Sequence, residues 1–170
     1  MPSDAYAMIC VLNKDIYNRE DWNWVFGLGD LKGRTGVFSF ARYDPSFFGE
    51  SHDLDEKEVE NIIQFRGIKV MWHELGHMFG LKHCTYYKCI MNGSNSSEEA
   101  LRKPWFLCPI WLKKLNYTIG FDILERYKAL AKSWDISNHF ESAKEWYSEN
   151  ISYLEDLYVN LNKNEKLAIP

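Results

Sequence analysis

The sequence predicts an α+β fold: a small mixed sheet packed on one long helix, followed by a helical C-terminal part. Three observations carry this. The two runs with strand character, AYAMICVL and GVFSFARY, both lie before residue 44. A capped apolar pattern with helical spacing then runs from Asp55 into His73. Helical periodicity resumes at Gly120 and holds almost to the end of the chain.

AYAMICVL is a continuous apolar run with no helical period, and it reads as a buried strand. DWNWVFGLGDLKGRTG is aromatic and then glycine-rich, and it reads as loop. In GVFSFARY, Val37, Phe38 and Phe40 stand among small or polar partners, as in a strand. DPSFFGESHDLD is a connection. Asp55 can cap a helix, with Glu58 three residues on as its return partner. Val59, Ile62, Ile63, Phe65 and Met71 then give a helix from about residue 56 to about residue 79. Ser96 and Glu99 suggest another capping box, with Pro104 ending a short helix. GFDILERYKALAKSW is one helix. In the next, Phe140, Ala143, Tyr147, Ile151, Leu154, Tyr158 and Leu161 keep a 3–4 spacing. That stripe spans only about three heptads, which favours packing within a monomer over a coiled-coil dimer. The tail NKNEKLAIP is expected to fray.

The chemistry concentrates in HELGHMFGLKHC, residues 73–84, which holds three of the five histidines. His73 and His77 are i and i+4 on a helix, one turn apart on one face, so two imidazoles converge on one small cation. Glu74 lies about 100° round the helix, beside the cation but off the ligand face, where it can take a proton from water. His83 follows His73 by ten residues. A straight helix would carry it about 15 Å away, so the chain must stop and turn back. Gly80 stands where that turn is needed and tolerates a positive φ. Three histidines and a water make the open four-coordinate site of catalytic zinc. With this composition the offsets arise by chance with a probability on the order of 10⁻⁵. Met91 follows eight residues after His83, in CIMNG. A methionine there is the mark of a metzincin Met-turn beneath a three-histidine site.

The run HELGHMFGLKHCTYYKCIMNGS resembles the archaemetzincins, a family of zinc metallopeptidases. His73, Glu74, His77, Gly80, His83, Cys84, Cys89 and Met91 match that family's pattern, and Cys108 in LCPIW matches the first cysteine of its later Cys-x-x-Cys pair. The likeness extends to DWNWVFG, GVFSFARY and GFDILERYKAL. It implies a zincin/metzincin-like catalytic domain over residues 1–132 and a helical extension over 133–170. It also implies one catalytic Zn²⁺ on the histidines, peptide or protein substrates, and a second, structural zinc on four cysteines. Here Trp111 stands at the fourth cysteine's position, and the gap from Met91 to Cys108 is one residue short. Tryptophan cannot ligate zinc. Either water, His52 or His139 replaces the missing ligand, or Cys84, Cys89 and Cys108 are free buried thiols. In metzincin-like folds a strand at the upper rim of the cleft pairs with extended substrate. Phe38, Phe40 and Arg42 are the candidates here, with an ordinary sheet strand as the alternative. Archaemetzincins usually carry further strand and helix upstream, so the upper subdomain is expected to be abbreviated, with a sheet edge left to cover.

The expected function is peptide-bond hydrolysis by a metal-activated water, with Glu74 as general base. The alternative is an inactive, zinc-stabilised peptide-binding protein. The net charge is −4, and basic and acidic residues are interspersed, which argues against nucleic acid as a partner and against a zinc-finger reading of the cysteines. No stretch reaches the roughly 18 apolar residues of a membrane span. MPSDAYAMICVLNKD lacks the basic start of a secretory signal, and Cys10 stands alone in the first strand. An intracellular site, cytoplasmic or nuclear, is expected, and a disulfide framework is the weaker reading of the cysteines.

Overall fold

The computed structural model describes residues 2–21, 23–30, 32–135 and 138–167, with residues 162–167 described by backbone alone. They form two compact units, Met1–Leu115 and Asn116–Pro170.

The first unit holds a three-stranded mixed sheet of β1 (Met8–Leu12), β2 (Gly27–Asp30) and β3 (Thr35–Ser39). The order is β1-β3-β2, with β1 parallel and β2 antiparallel to β3. β2 corrects the reading of its segment as loop. Gly27 and Gly29 have little strand propensity, but here the backbone must lie close to its neighbours. A Cβ on Gly27 would stand 3.0 Å from both the Phe38 ring and the Val37 carbonyl, and 3.2 Å from Glu74 Cγ. β1 is not buried as its apolar run suggests: Met8, Val11 and Leu12 are exposed. It is an edge strand, and among the described residues only β3 pairs with it.

Two short 3₁₀ turns, Ala41–Tyr43 and Pro45–Phe48, lead to α1 (Glu56–Met78). Both halves of the Asp55/Glu58 capping box are present: Asp55 Oδ1 accepts from Glu58 N–H at 2.8 Å, and Glu58 Oε2 from Asp55 N–H at 3.0 Å. Phe38, Tyr43, Val70 and Ala100 form the core, with Phe26, Ile63 and Met71 packed against it. The helix that carries the histidines is thus clamped to the sheet by its apolar face. α2 (Ser97–Arg102) has half a capping box. Ser96 Oγ accepts from Glu99 N–H, but the Glu99 carboxylate accepts from Asn95 N–H instead of Ser96.

Lys69, on the buried side of α1, is 3 % exposed. Its ammonium donates to the Leu101 carbonyl at 2.7 Å and lies 4.3 Å from the Trp105 ring centroid. Burial, and then the like charge of Lys103, lower its pKa from 10.5 to about 8. The unfolded chain therefore binds the extra proton between pH 8 and 10.5, and stability rises with pH across that window. Urea midpoints measured at pH 8 and pH 10 should show this rise, and Lys69→Met should reduce it.

α3 (Pro109–Ile119) crosses the boundary between the units and has no counterpart among the helices expected from sequence. In the second unit, α4 (Ile123–Ser133) packs on α5 (Glu141–Leu167). Phe140, Ala143 and Tyr147 are buried, Ile151 and Leu154 half-buried, and Tyr158 and Leu161 exposed, so the stripe is covered only in its first half. The tail expected to fray is helical through Leu167, and residues 168–170 lie outside those described. Among the described residues no helix is long and apolar enough to cross a membrane.

Candidate active site

The last two turns of α1 carry His73, Glu74 and His77. Phe79 ends the helix, and Gly80 takes φ 82°, in the left-handed region that favours glycine. Gly80 N–H donates to the His77 carbonyl at 2.8 Å and Leu81 N–H to the Gly76 carbonyl at 3.0 Å, so the chain reverses. This return brings His83 back to the helix. The ring centroids lie 4.7 Å (His73–His77), 5.1 Å (His73–His83) and 4.9 Å (His77–His83) apart. One nitrogen from each ring falls within 4.8 Å of the others.

Backbone carbonyls orient two of the rings. His73 Nδ1 is 2.9 Å from the Ile90 carbonyl, and His77 Nδ1 is 2.7 Å from the Leu81 carbonyl. A carbonyl only accepts, so both Nδ1 atoms carry the hydrogen and both Nε2 atoms carry a lone pair. Those Nε2 atoms are 3.1 Å apart. Two lone pairs pointed at one another repel unless a cation lies between them, so the donor set fits a metal ion. Burial, and then the charge of Lys103, lower the His73 pKa to about 3. Burial also lowers that of His83. Neutral imidazole is the form that ligates.

Met91 is fully buried. Cys84 N–H donates to the Met91 carbonyl at 2.8 Å, and Cys84 bridges to Asn92, which folds residues 84–92 back under α1. A Cβ on Gly76 would stand 2.4 Å from Met91 Sδ, so the glycine makes room for the thioether beside the histidine-bearing turn. The neighbouring Ile90 supplies the carbonyl that orients His73.

Glu74 lies beneath β2, and a Cβ on Gly29 would stand 3.6 Å from its Oε2. Burial raises its pKa, with Lys103 acting in the opposite direction. Glu74, His73 and His83 line a cavity of about 650 Å³, together with Trp24, Phe26 and Lys103. Trp24, Phe26 and Lys103 were not singled out from sequence. The aromatic pair lies in a stretch that reads as loop, the lysine in RKP carries no local signal, and only the tertiary fold brings them to one cavity.

The structure does not support Phe38, Phe40 and Arg42 as a substrate strand. β3 is the central strand and both its edges are already paired. Phe38 is fully buried, and beyond β3 Phe40 stands at the N-cap of the 3₁₀ turn that contains Arg42. Arg42 forks onto Asp15 at 2.7 and 2.6 Å, with Trp24 stacked on it at 4.4 Å. The edge strand beside Glu74 is β2.

A second group forms behind the site. The sulfurs of Cys84, Cys89 and Cys108 lie within 4.8 Å of one another, and all three residues are buried. Cys84 and Cys108 are 3.9 Å apart. Cys89 Sγ accepts from Cys108 N–H at 3.2 Å and Met91 N–H at 3.5 Å. Among the described residues the group contains no histidine, so His52, in the same unit, does not complete it. Trp111 sits half-buried on α3, with the Lys114 ammonium 4.1 Å from its ring centroid.

Comparison with known proteins accords with this arrangement. The family model described as Peptidase family M54 matches residues 5–117. The chain belongs to this family, the archaemetzincins. Archaemetzincin-2 of Rattus norvegicus is 38% identical over 160 residues, which cover 83% of this chain and 45% of the relative. Archaemetzincin-2 of Homo sapiens is 39% identical over 150 residues, 77% of this chain and 42% of the relative. The chain thus spans less than half the length of these curated relatives. Two solved structures are similar. A zinc-dependent peptidase from Methanocorpusculum labreanum has a TM-score of 0.55 at 30% identity, over 65% of this chain and 54% of its own. Archaemetzincin from Methanopyrus kandleri has a TM-score of 0.54 at 30% identity, over 71% of this chain and 60% of its own. The first unit of the chain has the α+β, zincin-like architecture of the family.

Proposed function

We propose that this archaemetzincin is a zinc metallopeptidase whose working residues all lie in Met1–Leu115. The observation that carries the reading is the pair of facing Nε2 lone pairs of His73 and His77, with His83 beside them and Glu74 in the same cavity. The three histidines would hold Zn²⁺. When bound, zinc polarises a scissile carbonyl and makes water nucleophilic at neutral pH. Glu74 accepts the proton of the attacking water on its carboxylate and delivers it to the leaving amine nitrogen. Its burial, which favours the protonated acid, suits the second half of that task. Extended substrate lies along the open edge of β2, where backbone hydrogen bonds set its register. Trp24 and Phe26 wall the cavity against water. Turnover of a fluorogenic peptide should disappear on chelation and return with stoichiometric zinc. Turnover that survives exhaustive chelation would contradict the reading.

The three thiols are proposed to hold a second, structural zinc. Two N–H groups already donate to Cys89 Sγ, as a thiolate requires. Without a cation, burial pushes the Cys89 pKa up to about 12, so a metal is what favours the thiolate there. Native mass spectrometry should count two zinc ions per chain in the parent and one in Cys89→Ala. One ion in both would mean free thiols. Three clustered, unpaired cysteines also suit a reducing compartment, which supports an intracellular site.

A further inference from the structure

Lys103 is 6 % exposed, yet it is among the residues that line the cavity with Glu74, His73 and His83, and its ammonium lies against His73. Among the described residues it forms no ion pair. Its ammonium has one polar neighbour within hydrogen-bond range, His73 Nδ1 at 3.5 Å. That nitrogen cannot accept, because its hydrogen goes to the Ile90 carbonyl. The two carboxylates whose fields reach Lys103 are Glu74 and Glu99. Glu99 is engaged with Asn95 N–H at 2.7 Å, and Glu74 lies beneath the β2 glycines. A buried ammonium with no acceptor is costly, and an anion brought into the cavity would offset that cost. The aromatic walls, Trp24 and Phe26, lower the local dielectric and strengthen such a pairing.

We infer that Lys103 receives a carboxylate of the bound peptide, which makes it a residue that positions the substrate by that group. A neutral carbonyl would leave the ammonium's charge uncompensated, whereas a carboxylate neutralises it. Peptides carry carboxylates in two places, the C-terminus and the side chains of Asp and Glu, and both present the same group. The assignment deepens the peptidase reading and rests on it.

The test is calorimetric binding to the zinc-loaded full chain, which needs no turnover. One probe pair has the same sequence with a C-terminal acid or a C-terminal amide. A second pair is C-terminally amidated and carries Glu or Gln next to its last residue. The parent should bind the acid member of at least one pair about tenfold or more tightly than its neutral partner, and the pair that discriminates identifies the source. Lys103→Met should reduce that ratio to within about twofold, and Lys103→Arg should keep it. Lys103→Gln serves in place of the methionine variant if the latter's thermal midpoint shows that it does not fold. Equal affinity for both members of both pairs in the parent overturns the proposal. So does a Lys103→Met variant that weakens acid and neutral members by the same factor, since that is a structural role. Discrimination without cleavage defeats the peptidase reading alone, and cleavage without discrimination defeats the Lys103 assignment alone.

Discussion

Replacement of His77 by alanine is expected to remove one zinc ion per chain and to abolish peptide turnover. The loss follows from the geometry. His77 supplies one of the two Nε2 atoms that face each other at 3.1 Å, and the Leu81 carbonyl holds its ring in place. Disturbing a ligand's supporting hydrogen bond typically costs 10–100-fold in metal affinity, so deleting the ligand itself should cost more than about 100-fold. Native mass spectrometry should count one ion fewer than in the parent. The thiol group is built from other side chains, so the losses in His77→Ala and Cys89→Ala should add in the double variant. A variant that keeps the parent's zinc count would place the metal elsewhere.

Glu74→Gln is expected to behave in the opposite way, keeping its zinc and losing its rate. Glutamine has nearly the same shape, so it fits the tight space under Gly27 and Gly29. It cannot accept the proton of the attacking water. General acid–base catalysis contributes about 10²–10⁴-fold, and kcat should fall by that factor with little change in peptide affinity. Steady-state kinetics at equal zinc occupancy separate this outcome from that of His77→Ala.

What was legible in the sequence is what local geometry determines. The capping box at Asp55, the i,i+4 histidines and the glycine needed at position 80 are short-range patterns, and the structure has each of them. What was not legible depends on residues far apart in the chain. β2 is a strand because Gly27 has no Cβ to strike Phe38 or Glu74, and nothing in GLGD itself says so. The apolar run in β1 reads as buried because hydrophobicity does not record how many neighbours a strand has. For the same reason GVFSFARY reads equally as a substrate strand or an ordinary sheet strand: its alternation marks a strand, while the order β1-β3-β2 decides which strand has an open edge. Nothing in the local sequence marks Lys103, and only the fold buries it beside His73. The cysteines fall between these cases. Their spacing and family likeness pointed to one cluster, while the exchange of the fourth cysteine for Trp111 left its metal content to the three sulfurs that remain.

The most direct test of the central claim, that His73, His77 and His83 hold a zinc ion served by Glu74 as proton acceptor, is a mixed peptide library incubated in parallel with the zinc-loaded parent and with Glu74→Gln. New peptide termini are read by mass spectrometry. Termini that the parent produces and the variant does not are the predicted result, and they would also show where in a peptide the enzyme cuts. Equal cleavage by both proteins, or none by a parent whose zinc is fully loaded, would contradict it.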